Sequence, residues 1–154
     1  MTAPYTLVLY ADASGREPVV GFLDKLEPHK RAAVVAGLNE ILSRQGLDVC
    51  ATEYGKNLGK GLAEFRLRHS YGEIVRRFPG AEATNGLDSG RDRRVLLRVF
   101  FHAYGDKAIL LLGGYDKGRQ PSRRKQDAEI ARARKRLSDF KNRSRRGRRR
   151  FGST

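Results

Sequence analysis

The chain of 154 residues has no tryptophan, a single cysteine (Cys50), a single methionine and five prolines. One cysteine excludes an internal disulfide and leaves no thiolate cluster for a structural zinc. The three histidines, at 29, 69 and 102, share no metal-ligand spacing, so no metal and no cofactor is expected. No window approaches a bilayer-spanning apolar run, and no charged leader followed by an apolar core opens the sequence. The expected setting is the reducing cytoplasm, with no membrane partner. Acidic residues are scarce too, but unevenly so.

Residues 1–65 carry 7 basic and 8 acidic side chains, whereas residues 66–140 carry 18 basic and 9 acidic. Residues 141–154 carry 7 basic and none acidic, so the net charge of +15 resides in the second half and the tail. A surface this basic favours polyanions, nucleic acid foremost. The length suffices for one domain with a real core.

Residues 93–117 read as two strands joined by a tight turn at Gly105-Asp106. Period-two alternation puts Leu96, Arg98, Phe100, His102 and Tyr104 on one face, and Val95, Leu97, Val99, Phe101 and Ala103 on the other. The run Ala108 to Leu112 is apolar throughout, as a central strand covered on both faces would be. Arg98 is the lone cation within these strands, and basic residues follow at once, beginning with Lys117 and Arg119.

Upstream, residues 5–10 suit a first strand. Pro18 opens one helix with Val19, Phe22, Leu23 and Leu26 at helical spacing, and Pro28 opens a second that stops at Gly46. Residues 47–61 read as a polar loop with Lys56 and Lys60; the GK pair lacks the Ser or Thr of a phosphate loop. Residues 62–69 alternate as a strand, with Ala63, Phe65 and Leu67 opposite Glu64, Arg66 and Arg68, and residues 71–78 can extend it. Residues 79–92 read as a long loop. Pro121-Ser122 opens a last helix carrying Ile130, Ala133, Leu137 and Phe140, and residues 141–154 form a basic tail expected to be disordered.

The stretches GKGLAEFRLR, LLRVFFHAYGDKAILLLGGYDKGRQPS and EIARARKRL resemble the RelE/HigB toxins of type II toxin–antitoxin systems, in particular their phage-derived HigB-like branch. The resemblance spans residues 5–140 and leaves out the 79–92 segment and the tail. It implies an α+β domain of residues 1–140: a small antiparallel sheet with two N-terminal helices and a C-terminal helix packed on it. It also implies a metal-independent endoribonuclease that cuts mRNA on the ribosome and is neutralised by a HigA-like helix-turn-helix antitoxin. Cleavage in that family is thought to proceed by attack of the ribose 2′-OH on the adjacent phosphate. Arg98 then falls where the family holds phosphate, Arg66 and Arg68 where RelE-like members carry lysines, and Lys117 and Arg119 in the basic segment after the last strand. The family's C-terminal Tyr or His has no counterpart here.

Arginine binds phosphate bidentately but cannot give up its proton near neutral pH, so Arg66, Arg68 and Arg98 suit charge stabilisation and not general-base work. Arg98 has a second reading, as an ion-pair partner of Glu64 across the sheet. His102, on the face of Arg98, is the acid–base candidate by spacing. Lys56, Lys60, Lys117, Arg119, Arg123 and Arg124 are candidate RNA contacts, and Tyr115 either stacks on a base or packs. Two other functions fit the same residues: a non-catalytic RNA- or ribosome-binding module, and a ParE-like gyrase inhibitor.

Overall fold

A computed structural model describes residues 4–78 and 93–152, with side chains described as far as Arg146. Its architecture follows from the alternation along the hairpin. Strand β4 (Leu97–Tyr104) and strand β5 (Ala108–Asp116) pair antiparallel, with left-handed backbone at Gly105 and Lys107 in the turn between them. Strand β1 (Thr6–Leu9) joins β5 in parallel, while β3 (Leu62–Leu67) and the edge strand β2 (Gly55–Gly59) extend the other side antiparallel. The five-stranded order is β1-β5-β4-β3-β2, so the fold is α+β with one parallel pairing.

One face of the sheet, bearing Leu97, Val99, Phe101, Phe65 and Leu67, lies under helices α1 (Pro18–Lys25), α2 (Pro28–Gly37) and α4 (Tyr71–Arg77), whose Val19, Val34 and Ile74 are fully buried. After α2 the backbone passes through a π-turn, Leu38–Leu42, and a last helical turn, α3 (Ser43–Gln45). Gly46 then stops the helix at φ +58, a left-handed conformation that costs a residue with a Cβ. The opposite face bears Leu62, Phe100, Leu110 and Leu112, and it packs against Ala133 and Leu137 of the long helix α5 (Arg123–Gly152). Period two along β4 therefore separates two cores, and the unbroken apolar run of β5 reflects burial on both sides.

Three expectations need correction. The 47–61 segment is not a loop: it is a 3-10 turn (Gly46–Ala51) followed by β2 and a tight turn at Lys60-Gly61. An edge strand with one open side keeps polar residues, which hides it from hydrophobic patterning. Residues 71–78 do not extend β3 but form α4, because Ser70 and Glu73 make a reciprocal capping box that starts a helix. The basic stretch from 141 is carried as helix as far as Gly152, with no break at 140. Beyond Phe140, Arg143 pairs with Asp139 at 2.7 Å and donates to the carbonyl of Ala11, which ties this part of α5 to the end of β1. The loop expected over 79–92 lies outside the described residues. No described helix is long and apolar enough to cross a membrane.

Candidate functional site

The basic residues of β3, β4 and the segment after β5 meet at one end of the sheet, on the α5 side. Arg66 and Arg98 are direct partners in the β3–β4 register, and Arg98 faces Tyr115 on β5. Arg98 is 1% exposed and Glu64 is fully buried. Glu64 Oε1 lies 3.2 Å from Arg98 Nε and accepts a 2.7 Å bond from Arg66 Nε. Arg98 Nε, Glu64 Oε2 and the Tyr115 hydroxyl are buried without a hydrogen-bond partner among the described residues. A buried polar atom without a hydrogen bond costs free energy; at Arg98 Nε the ion pair with Glu64 offsets part of that cost.

The electrostatics agree. Burial holds the Arg98 guanidinium below its ordinary pKa against the pull of Glu64, and burial together with Glu64 raises the Tyr115 hydroxyl. Lys117 is lowered by desolvation and by the positive charges of Arg98, Arg66 and Arg68. The three guanidinium groups add positive potential at Lys117, which Glu64 partly offsets. Arg66 is partly exposed and Arg68 exposed, so the accessible cations of this cluster are Arg66, Arg68 and Lys117, with Arg98 as the buried anchor.

The other candidates are distributed around this centre. Arg119 is 68% exposed, 4.0 Å from Glu27, at the mouth of two neighbouring clefts. Arg123 and Arg124 are exposed in the first turn of α5, where no acidic residue offsets the positive end of the helix dipole. Lys56 is exposed opposite Glu64 in the β2–β3 register, and Lys60 sits with φ +54 in the turn that follows. Tyr115 packs in the α5-side core, stacked on Phe100 at 6.1 Å, which settles its role as packing.

His102 does not join the cluster. Four residues further along β4, roughly 13 Å at strand rise, it lies beyond Phe100 and the α5 side chains packed there. Its Nδ1 is 2.7 Å from the carbonyl of Gly61, which can only accept, so Nδ1 carries the proton. A side chain at Gly61 (φ +84) would press on this ring at 3.1 Å. The ring lies parallel to Tyr104 at 6.1 Å. Pattern alone put His102 and Arg98 on one face; it could not show that a helix crosses between them.

One histidine escaped the sequence reading. His69, just past β3, borders a cleft of about 730 Å³ with Arg68, Arg93 and Arg94. Its ring nitrogens meet Glu73 at 3.0 Å and Glu53 at 2.9 Å. The signal was the capping box in HSYGE, which places Glu73 one helical turn from His69. Among the described residues no group of His, Cys, Asp and Glu forms a metal-holding set. No protein-family model matches the chain, and no curated protein matches it significantly.

Proposed function

We propose that this protein is a type II toxin of the RelE/HigB kind, a metal-independent endoribonuclease that cuts mRNA on the ribosome and is held in check by a HigA-like antitoxin. The observation that carries this reading is the convergence of Arg66, Arg68 and Lys117 on the buried Glu64–Arg98 pair, at the end of a rigid sheet. Phosphoryl chemistry on RNA needs positive charge fixed where the phosphorane develops; Arg66 is held on β3, and Arg68 and Lys117 directly follow the ends of β3 and β5. Burial chiefly, and the neighbouring guanidinium groups after it, lower Lys117; a phosphate there would offset the second of these. The charged faces of α5 add sequence-independent attraction to the RNA backbone.

A second reading, a non-catalytic RNA- or ribosome-binding module, draws on two observations: Arg98 is enclosed by its ion pair, and His102 stands apart from it. Induced expression followed by mapping of transcript 5′ ends separates the readings. The toxin reading expects growth arrest with new cleavage sites within coding regions, both lost in the double variant Arg66→Ala, Lys117→Ala. Arrest with intact transcripts supports the binding module instead, and DNA damage with intact transcripts supports a gyrase inhibitor.

A further inference from the structure

His69 is 8% exposed yet has acidic partners on both sides. Glu73 Oε2 lies 3.0 Å from Nδ1, and Glu73 is itself fixed by the cap with Ser70. On the other side, Nε2 is 2.9 Å from Glu53 Oε1 and 3.1 Å from the Tyr54 hydroxyl, with the Tyr54 ring edge-on to the imidazole. Carboxylates only accept, so a ring nitrogen that bonds either glutamate does so through its N–H. The two glutamates differ. Glu73 is anchored in α4, whereas the Glu53 side chain is 59% exposed at the cleft rim and can leave Nε2 for another partner.

The cleft has the charge to draw phosphate towards this pair. Arg68, Arg93 and Arg94 border it as exposed side chains; of its carboxylates besides Glu53 and Glu73, Asp116 is bound to Lys30 at 2.6 Å and Glu27 lies 3.6 Å from His29 and 3.8 Å from Lys30. Arg68 connects the cleft to the cluster on the sheet, since it lines the cleft and stands two residues beyond Arg66. The cluster offers cations but no group that can both take and give a proton near neutral pH. The cleft beside it holds a carboxylate and an imidazole in contact.

We propose that Glu53 and His69 are the proton-transfer pair for RNA cleavage, with Glu73 and Tyr54 positioning the imidazole and Arg68 on the scissile phosphate; this rests on the ribonuclease reading above. The Glu53 carboxylate takes the proton of the ribose 2′-OH as the 2′ oxygen bonds to phosphorus. The bond from phosphorus to the 5′ oxygen breaks, and His69 Nε2–H gives its proton to that oxygen. The products are a 2′,3′-cyclic phosphate and a 5′-hydroxyl end. The proton on Glu53 then returns to Nε2 across their 2.9 Å contact, which restores both groups.

The test uses the full-length protein with ribosomes carrying a defined mRNA, and compares wild type with Glu53→Gln and His69→Gln from about pH 5 to about pH 9. Each variant is expected to cut about 10²–10⁴-fold more slowly while melting cooperatively. Wild type should give a bell-shaped profile, with the acid limb lost in Glu53→Gln and the alkaline limb lost in His69→Gln. Its products should end in cyclic phosphate. Folded variants that cut within about twofold of wild type with its pH profile overturn the pair and leave the ribonuclease reading standing. Wild-type protein that cuts nothing overturns both. Should His69→Gln fail to fold, Glu53→Gln, at an exposed position, decides the matter alone.

Discussion

Glu64 Oε1 holds two arginines at once, Arg66 Nε at 2.7 Å and Arg98 Nε at 3.2 Å, and it does so with no exposure of its own. The two cations are therefore unequal in what they can reveal by mutation. Removing Arg98 leaves Glu64 one partner, and the expected cost is about 3 kcal/mol, the lower end for a broken buried pair. Removing Glu64 strands a guanidinium that is 1% exposed, so Glu64→Ala should cost more, nearer 5 kcal/mol. Thermal melts of the two variants check the order; at this chain length 3 kcal/mol lowers Tm by roughly 10 °C. Loss of activity in Arg98→Ala thus means little without a melt beside it.

Arg66 and Lys117 are the better probes of binding. Arg66→Ala and Lys117→Ala should each weaken RNA affinity whatever the sequence, and each should reduce the slope of log affinity against log salt by about one. Titrations of a short single-stranded RNA at several salt concentrations measure this. An unchanged slope would mean that the residue touches no phosphate.

Acid should destabilise the fold through His29. That ring is 7% exposed, and burial, followed by the charge of Arg93, lowers its pKa in the folded state. As pH falls below the ordinary histidine value of about 6.5, the unfolded chain takes up the proton first, and stability declines until the folded ring titrates as well. His29→Gln should lose less stability than wild type between about pH 7.5 and about pH 5, read from Tm.

Ser70→Ala removes the hydroxyl that accepts from the Glu73 amide at 3.2 Å. The expected cost is about 1 kcal/mol, with faster hydrogen exchange confined to α4. Because Glu73 also orients His69, the same change should disturb the imidazole signals of that residue in NMR spectra.

Much of this was legible in the chain. Alternation along 93–104 gave the two faces of β4 correctly, and the solid apolar run of β5 announced burial on both sides. Prolines at 18 and 28 and the glycine at 46 bounded the N-terminal helices for steric reasons that act locally. The misreadings arose where local and nonlocal forces compete. Ile74, Val75 and Phe78 favour strand by side-chain type, yet the cap at Ser70 decided for helix. Strand β2 carries almost no apolar signal because its partner β3 supplies the pairing. The Glu64–Arg98 contact was foreseeable as one option for a cation in an apolar strand, but its near-complete burial depends on the pairing of β3, β4 and β5, which alternation does not reveal. His69 was overlooked because its carboxylates come from a turn and a helix cap on separate segments.

The parallel pairing of β1 with β5 has a consequence for how the chain comes to be folded. Thr6 is registered with Ala108, and among the described residues β1 has no other strand neighbour. A chain emerging from the ribosome must expose its first strand, and the apolar side of the helices that follow it, until the far hairpin is complete. Closing so long a loop is slow relative to local helix formation. The cluster around Arg98 draws on β3, β4 and the segment after β5, so it too is assembled only at that late moment. The candidate cluster cannot assemble before synthesis has passed Asp116, and a product that stops short of that residue has neither a closed sheet nor the cluster.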